Sequence, residues 1–317
     1  MSLLRRLRTG WGLTPWRDWR PLATLAAALV VAACASPPAE AEKPAADAAA
    51  PHAAAAGAFS ASTYWDDGLS EMAYYDATDV IYGQSRSYTR VHLTNREWFD
   101  EVTGVKAESQ LDQHTPVLKM NIAEEIATEN YNYRYLTMLF ARRDTLRPLK
   151  MVVSSQEWCG ATFKHLRWMG AALVVKSFSY FPGEGDAETT LPRDTHALES
   201  LFLTVRNVTL LGAEGSTPIR LLPPLRTSHA AATEAADARL VVDAPRTIKV
   251  PLGRFEATRV RVEWSGAEAW FDVETAAPHR ILAFQAGTTA GQLRSVEKRA
   301  YWDREKRSEF YKPGAAP

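Results

Sequence analysis

Cysteine is scarce in this chain. Only Cys34 and Cys159 occur among 317 residues, which excludes a disulfide framework and any Cys-x-x-Cys redox or zinc motif. Neither sign of charge prevails, since 37 basic residues balance 37 acidic ones. No basic stripe interleaved with aromatics occurs, and this argues against nucleic-acid binding. Glycine-rich phosphate loops are missing, and so is a Gly-x-Ser-x-Gly nucleophile elbow. The histidines (His52, His92, His114, His165, His196, His229 and His279) are scattered, with no close ligand spacing. The sequence therefore points to no cofactor and no metal. The acidic turn Glu184 to Asp186 lacks a full calcium ligand set.

Long hydrophobic runs are also lacking. The run at the front, Leu22 to Ala33, has twelve residues. As a helix it would rise about 18 Å, short of a hydrocarbon core of roughly 30 Å. Arg5, Arg6, Arg8, Arg17 and Arg20 precede it, against the single acid Asp18. A basic stretch followed by a short apolar one reads as a secretory signal over residues 1–33. Arg5-Arg6 lacks the flanking residues of a twin-arginine signal and reads as ordinary n-region charge. Val31-Ala32-Ala33 leads into Cys34, the pattern of a bacterial lipobox. Its Cys receives lipid and becomes the new N-terminus. The alternative is an ordinary signal cut nearby, with Cys34 discarded. Ala35, where an Asp would retain the protein in the inner membrane, points to the outer membrane. The expected address is thus the cell envelope, with a lipid anchor and the domain facing the periplasm.

Residues 34–60 are nearly all Ala, Pro, Glu, Lys and Gly, with too little apolar bulk to offset the entropy of ordering. They read as a flexible tether. Without residues 1–33 the chain loses five Arg and one Asp and carries a net charge of −4. Residues 61–317 then form a β-rich domain, with two halves suggested at about 61–225 and 240–305. Its core draws on ten Trp, eleven Tyr and eleven Phe.

Period-two patterning dominates that domain. Tyr88, Arg90 and His92 alternate with Thr89, Val91 and Leu93. Strands are expected at 117–122, 131–142, 149–158, 162–168 and 173–181. A four-stranded meander is expected from about 247 to 302, turning at Ser265-Gly266 and broken by Pro278. Leu198, Leu201, Phe202 and Val205 recur at helical spacing, with Asp194 or Thr195 as cap. Residues 64–82 fit strand or helix, and 229–238 read as a loop. The fold class is mainly β: a curved antiparallel sheet, half-barrel or clam-like, with one or two helices.

Three stretches carry a resemblance. They are Tyr64-Trp65-Asp66-Asp67-Gly68 with Glu71, then Thr115-Pro116-Val117-Leu118-Lys119-Met120-Asn121, then Ser155-Gln156-Glu157-Trp158-Cys159-Gly160. In this order after a lipobox, they resemble an uncharacterised family of envelope lipoproteins often labelled "septum formation inhibitor Maf". True Maf pyrophosphatases are cytoplasmic and carry a Ser-x-Ser-Pro-Arg-Arg motif that this chain does not have. The last third resembles periplasmic β-rich domains of unknown function. Val250 to Ala257, Trp270-Phe271, Pro278 and Tyr301-Trp302 carry that likeness. It implies a curved sheet like those of lipoprotein carriers, which is a statement about fold alone.

Two sets of residues could carry function. Cys159 would be a nucleophile if His165, six residues on, served as its base; otherwise it is a small core residue. Tyr131, Tyr133 and Tyr135 share one sheet face, and Phe178 with Tyr180 form a second row. Together they would line a cavity for an acyl chain or another hydrophobic envelope ligand; the alternative is ordinary core. Asp66, Asp67, Asp76 and Asp79 would offer paired carboxylates, or simply be solvated acids. The leading expectation is non-enzymatic: an outer-membrane lipoprotein that binds a hydrophobic envelope component or an envelope protein. A hydrolase or thiol enzyme using Cys159 stands second, and a structural or assembly lipoprotein without a small ligand third.

Overall fold

A computed structural model describes residues 60–108, 110–207, 215–230 and 234–303. The signal segment 1–33, Cys34 and the tether as far as residue 59 lie outside the described residues.

The alternating segments form seventeen strands. The first eight are β1 (Ser70–Ile81), β2 (Gln84–Asp100), β3 (Val105–Ala107), β4 (Thr115–Ile126), β5 (Tyr133–Arg142), β6 (Pro148–Glu157), β7 (Gly160–Met169) and β8 (Ala172–Ser179). Then come β9 (Ala187–Pro192), β10 (Thr195–Ala197), β11 (Gly215–Leu222), β12 (Ala236–Val242) and β13 (Arg246–Val250). The chain ends its described part with β14 (Gly253–Trp264), β15 (Ala267–Glu274), β16 (Ile281–Ala286) and β17 (Thr289–Arg299).

Ladder hydrogen bonds run from β9 through β8, β7, β6, β5 and β4 to β2 and β1. They continue through β17, β16, β15, β14, β12 and β11 to β10. The β1–β17 ladder joins the two anticipated halves, so both belong to one sheet. Every pairing is antiparallel except β10 with β11. Strand twist curls a sheet of this width. The outcome is mainly β, a nearly closed, barrel-like curved sheet with a short helix among the described residues.

Register decides which residues face inward. One row crosses seven strands: Ala73, His92, Ile122, Thr137, Val153, Lys164 and Ser177 are successive partners. All seven are buried. Residues two positions along each strand repeat the inward direction. The inner face therefore carries Tyr88, Arg90 and Glu124 beside Leu139, Met151 and Leu166.

The interior is filled by chain that leaves the sheet. A 3-10 turn, Leu198–Ser200, runs into a single α-helical turn, α1 (Leu201–Thr204). Leu198, Leu201, Phe202, Leu203 and Val205 are almost fully buried. Phe202 sits against Phe271 at 4.9 Å, Phe284 at 5.0 Å and His92 at 5.2 Å between ring centres. The expected helix is therefore real but shorter, and it is not capped as anticipated. Thr195 is in β10, Asp194 faces Arg220 at 3.7 Å, and no side chain caps the turn. Surrounding packing, rather than capping, holds so short a helix.

Other expectations shift in detail. The ambiguous 64–82 stretch is a 3-10 turn, Thr63–Trp65, followed by β1. The meander begins with an extra hairpin, because Pro251-Leu252 folds β13 back on β14, pairing Val250 with Gly253. Part of the 229–238 stretch belongs to β12. Ser265 (φ 45°) and Gly266 (φ 77°) make the two-residue turn between β14 and β15. Both need the left-handed region that a primed hairpin turn demands.

Candidate functional site

The interior is packed, and several of its buried charges form ion pairs. The Arg226 guanidinium pairs with Asp79 and with Glu124 (3.0 Å), and lies 4.1 Å from the Tyr135 ring centre. Tyr88 Oη donates to Glu124 at 2.6 Å, and Arg90 stands 3.4 Å from the same carboxylate. Burial pushes Glu124 up, but Arg226, Arg90 and the Tyr88 bond outweigh it and leave its pKa below the usual carboxylate value. Burial, then Arg90 and Arg206, push His92 well below the ordinary imidazole value. A neutral His92 can accept the Arg90 Nε–H at 2.9 Å. A second pair, Arg206 with Glu71 (2.7 Å), is closed by Tyr64 Oη donating to Glu71 at 2.7 Å.

Lys164 and Glu199 clip the segment after β11. Lys164 Nζ donates to the carbonyls of Leu225 and Thr227. The amides of Leu225 and Arg226 donate to Glu199 Oε1 at 2.6 and 2.8 Å. Burial lowers Lys164 to about 8 against the pull of Glu199 and Glu184. Burial raises Glu199. A void beside Tyr75, His92, Phe202 and Arg206 measures about 10 Å³, room for a single water. Tyr133 and Tyr135 are buried side chains rather than walls of a hollow.

An open groove of about 960 Å³ lies along Arg220, Asp237, Arg239, Glu263, Trp264 and Glu268. Its charges neutralise one another: Arg220 faces Asp194, and Arg261 faces Glu263 and Glu268. We attach no chemistry to it.

The residues singled out from sequence separate into three places. Tyr131, Tyr133 and Tyr135 do share the inner side, with Tyr131 at the rim just before β5. Phe178 is on the outer face, 44 % exposed and 6.2 Å from Phe163 between ring centres. Tyr180, 41 % exposed, follows the end of β8 with the same parity. The two rows therefore do not line one cavity. Ser177 and Val175 take the inward positions of β8, because their partners Lys164 and Leu166 point inward. His165 is on the outer face of β7, paired with Val152 and Lys176. It is five strand residues from Gly160, about 17 Å along the chain, so it cannot serve Cys159 as a base. Burial lowers its pKa, and Lys150, Arg167 and Lys176 lower it further.

Each of the four aspartates is paired with a cation, Asp79 with one that it shares with Glu124. Asp66 pairs with Arg143 (2.8 Å), Asp67 with Lys298 (2.9 Å), Asp76 with Arg294 (2.8 Å) and buried Asp79 with Arg226. Glu184 is engaged as well, accepting from Ser179 Oγ (2.6 Å) and the Ala230 amide (2.8 Å). Among the described residues no three His, Cys, Asp or Glu side chains converge. No described helix is long and apolar enough to cross a membrane.

What the fold does assemble is an aromatic rim. The turns after β1, β4, β6 and β8 fall at one end of the sheet, because these strands alternate in direction. Trp158 and Cys159 are the two turn residues between Glu157 and its partner Gly160. Trp158 is 82 % exposed and stacks on Tyr131 at 5.8 Å and 20°. Tyr131 Oη donates to Glu157 Oε2 at 3.2 Å and lies 3.2 Å from Cys159 Sγ. Tyr180 Oη donates to Glu157 Oε1 at 3.3 Å. Tyr82, 70 % exposed in the β1–β2 turn, shares a hydroxyl bond with Tyr133. Phe181 packs on Tyr180 at 4.2 Å and on His229 at 4.0 Å. Lost solvent and the Glu157 charge raise the Tyr180 phenol to about 12. The bond to Cys159 heads the causes that raise Tyr131. Both phenols stay protonated at neutral pH and remain donors to Glu157.

Tyr131, Cys159 and Tyr180 thus come together as the sequence reading could not arrange them. Tyr82, Glu157, Trp158 and Phe181 were missed. Their common signal was position: each lies in or beside a hairpin turn at the same end of the sheet. No protein-family model, curated protein or solved structure matches the chain.

Proposed function

We propose that the chain is an envelope lipoprotein, anchored in the outer membrane through Cys34, whose β domain binds an envelope component at its aromatic rim without catalysis. The observation that carries this is the placement of exposed aromatics. The interior is tightly packed around its ion pairs, so it offers a ligand little room. Trp158, Tyr82 and Tyr180 stand outward on adjoining turns instead. Large exposed aromatics gathered in one patch mark interaction surfaces. A lipid on Cys34 would hold this rim near its target. The resemblance to envelope lipoproteins supports the same address. A Cys159 enzyme would need a base, and His165 stands on another face of the sheet.

Two measurements on the native protein test this reading. Intact-mass analysis should find a chain that starts at acylated Cys34; a species retaining Met1, or lacking acyl groups, overturns the address. Hydroxyl-radical footprinting should show Trp158, Tyr82 and Tyr180 less oxidised in intact envelopes than in purified protein. Equal oxidation overturns rim binding and leaves a structural lipoprotein.

A further inference from the structure

The geometry points to a binding site for a primary ammonium group at the rim, with Glu157 as counter-charge and Tyr131, Trp158 and Tyr180 as aromatic and phenolic walls. This rests on the rim-binding reading and names its ligand chemistry.

The first observation is a charge left over. No Lys, Arg or His among the described residues pairs with Glu157; its partners there are the phenol hydroxyls of Tyr131, Tyr133 and Tyr180. Nearby arginines are already used. Arg86 pairs with Glu129 at 2.7 Å, and Arg134 pairs with Glu125 at 2.8 Å.

The second observation is the balance of donors and acceptors. Tyr180 spends its hydrogen on Glu157, so its oxygen lone pairs remain as acceptors, while the Tyr131 oxygen is shared with Cys159 and Tyr133. The Cys159 sulfur beside Tyr131 adds a weak acceptor. A site rich in acceptors and poor in donors suits a group with three N–H donors and no acceptor, which is an ammonium. Carboxylates and phosphates would meet like charge here.

The third observation is the set of ring faces. Trp158 and Tyr131 lie nearly parallel, and Tyr131 bonds the carboxylate. Aromatic faces attract a cation through their quadrupole, Trp most strongly. A tetraalkylammonium would gain this term but has no N–H for the phenol oxygens. The source of the ammonium is either a lipid headgroup or a free amine.

The test is isothermal titration of the full chain in detergent with ethanolamine hydrochloride, against sodium chloride at equal ionic strength. Saturable binding of ethanolamine, with weaker binding of tetramethylammonium, is expected. Glu157→Gln should weaken binding at least about tenfold while near-UV circular dichroism is unchanged. If that variant misfolds, Tyr180→Phe should weaken binding by a smaller factor. Competition by phosphatidylethanolamine vesicles, but not by phosphatidylglycerol vesicles, would assign the ammonium to a headgroup. Competition by neither would assign it to a free amine. No saturation up to on the order of 100 mM, equal binding of tetramethylammonium, or full binding by the Glu157→Gln variant would overturn the assignment. Footprint protection without ethanolamine binding rejects the ligand class alone; loss of protection rejects the rim reading itself.

Discussion

The Tyr180 ring occupies the space where a side chain on residue 160 would begin, since a Cβ built on Gly160 would meet the ring at 2.4 Å. That contact sets Tyr180 over the β6–β7 turn and brings its hydroxyl to Glu157. Gly160→Ala should push the ring away, destabilise by about 1–2 kcal/mol, and weaken any ligand bound at the rim. Urea unfolding and Tyr180 footprinting read the two effects. Unchanged Tyr180 oxidation would show that the ring does not depend on Gly160.

Arg226 is the main counter-ion of the interior. Arg226→Met leaves Asp79 and Glu124 buried without their chief cation, and should destabilise by about 3–5 kcal/mol. Adding Asp79→Asn and Glu124→Gln should restore a good part of that loss, because the uncompensated charges go with them. Urea midpoints of the single and triple variants decide it. A triple variant no more stable than the single one would mean that packing by Arg226, not its charge, matters.

Lys164 predicts a gain of stability with pH. Its folded pKa is about 8, below the ordinary lysine value of 10.5. Between these values the unfolded chain binds more protons than the folded one, so stability rises with pH. From pH 8 to 9.5 the wild type should gain on Lys164→Met by on the order of 1–2 kcal/mol. Parallel curves would place the Lys164 amine in water.

The acid side has a slope of the same sign, since these groups too bind a proton more readily in the unfolded chain. Burial and the nearby cations depress His92, so its contribution is present above about 6.5 and falls away as acid protonates the unfolded imidazole. Against burial, their arginine partners and tyrosine hydrogen bonds lower Glu71 and Glu124. Their contribution is full above the ordinary carboxylate range and is lost as pH drops through the folded pKa. Stability should therefore fall in two stages. His92→Gln should shrink the earlier stage, leaving the part due to His165, His196 and His279, and keep the later one.

Cys159 is exposed and should react with one equivalent of a thiol reagent in the native state. His165→Ala should leave that rate unchanged within about twofold, because the imidazole is on another face. A rate that collapses in His165→Ala would revive the thiol-enzyme reading.

Much of the architecture was legible in the residues themselves. Period two in Tyr88–Leu93 and Thr258–Val262 declares strands, and Ser265-Gly266 declares the turn that both residues take. The apolar spacing of Leu198, Leu201, Phe202 and Val205 marks a buried helical segment. These are local properties, set by backbone sterics and by which side chains tolerate water. Parity was not legible: alternation says that Phe178 and Tyr180 share a face, yet only pairing with β7 makes that face the outer one. Nor could spacing show that Arg226 would reach Asp79, 147 residues away, or that four turns would gather phenols around Glu157. Such meetings depend on how the sheet curls and closes, a cooperative outcome of all its ladders that no single segment encodes.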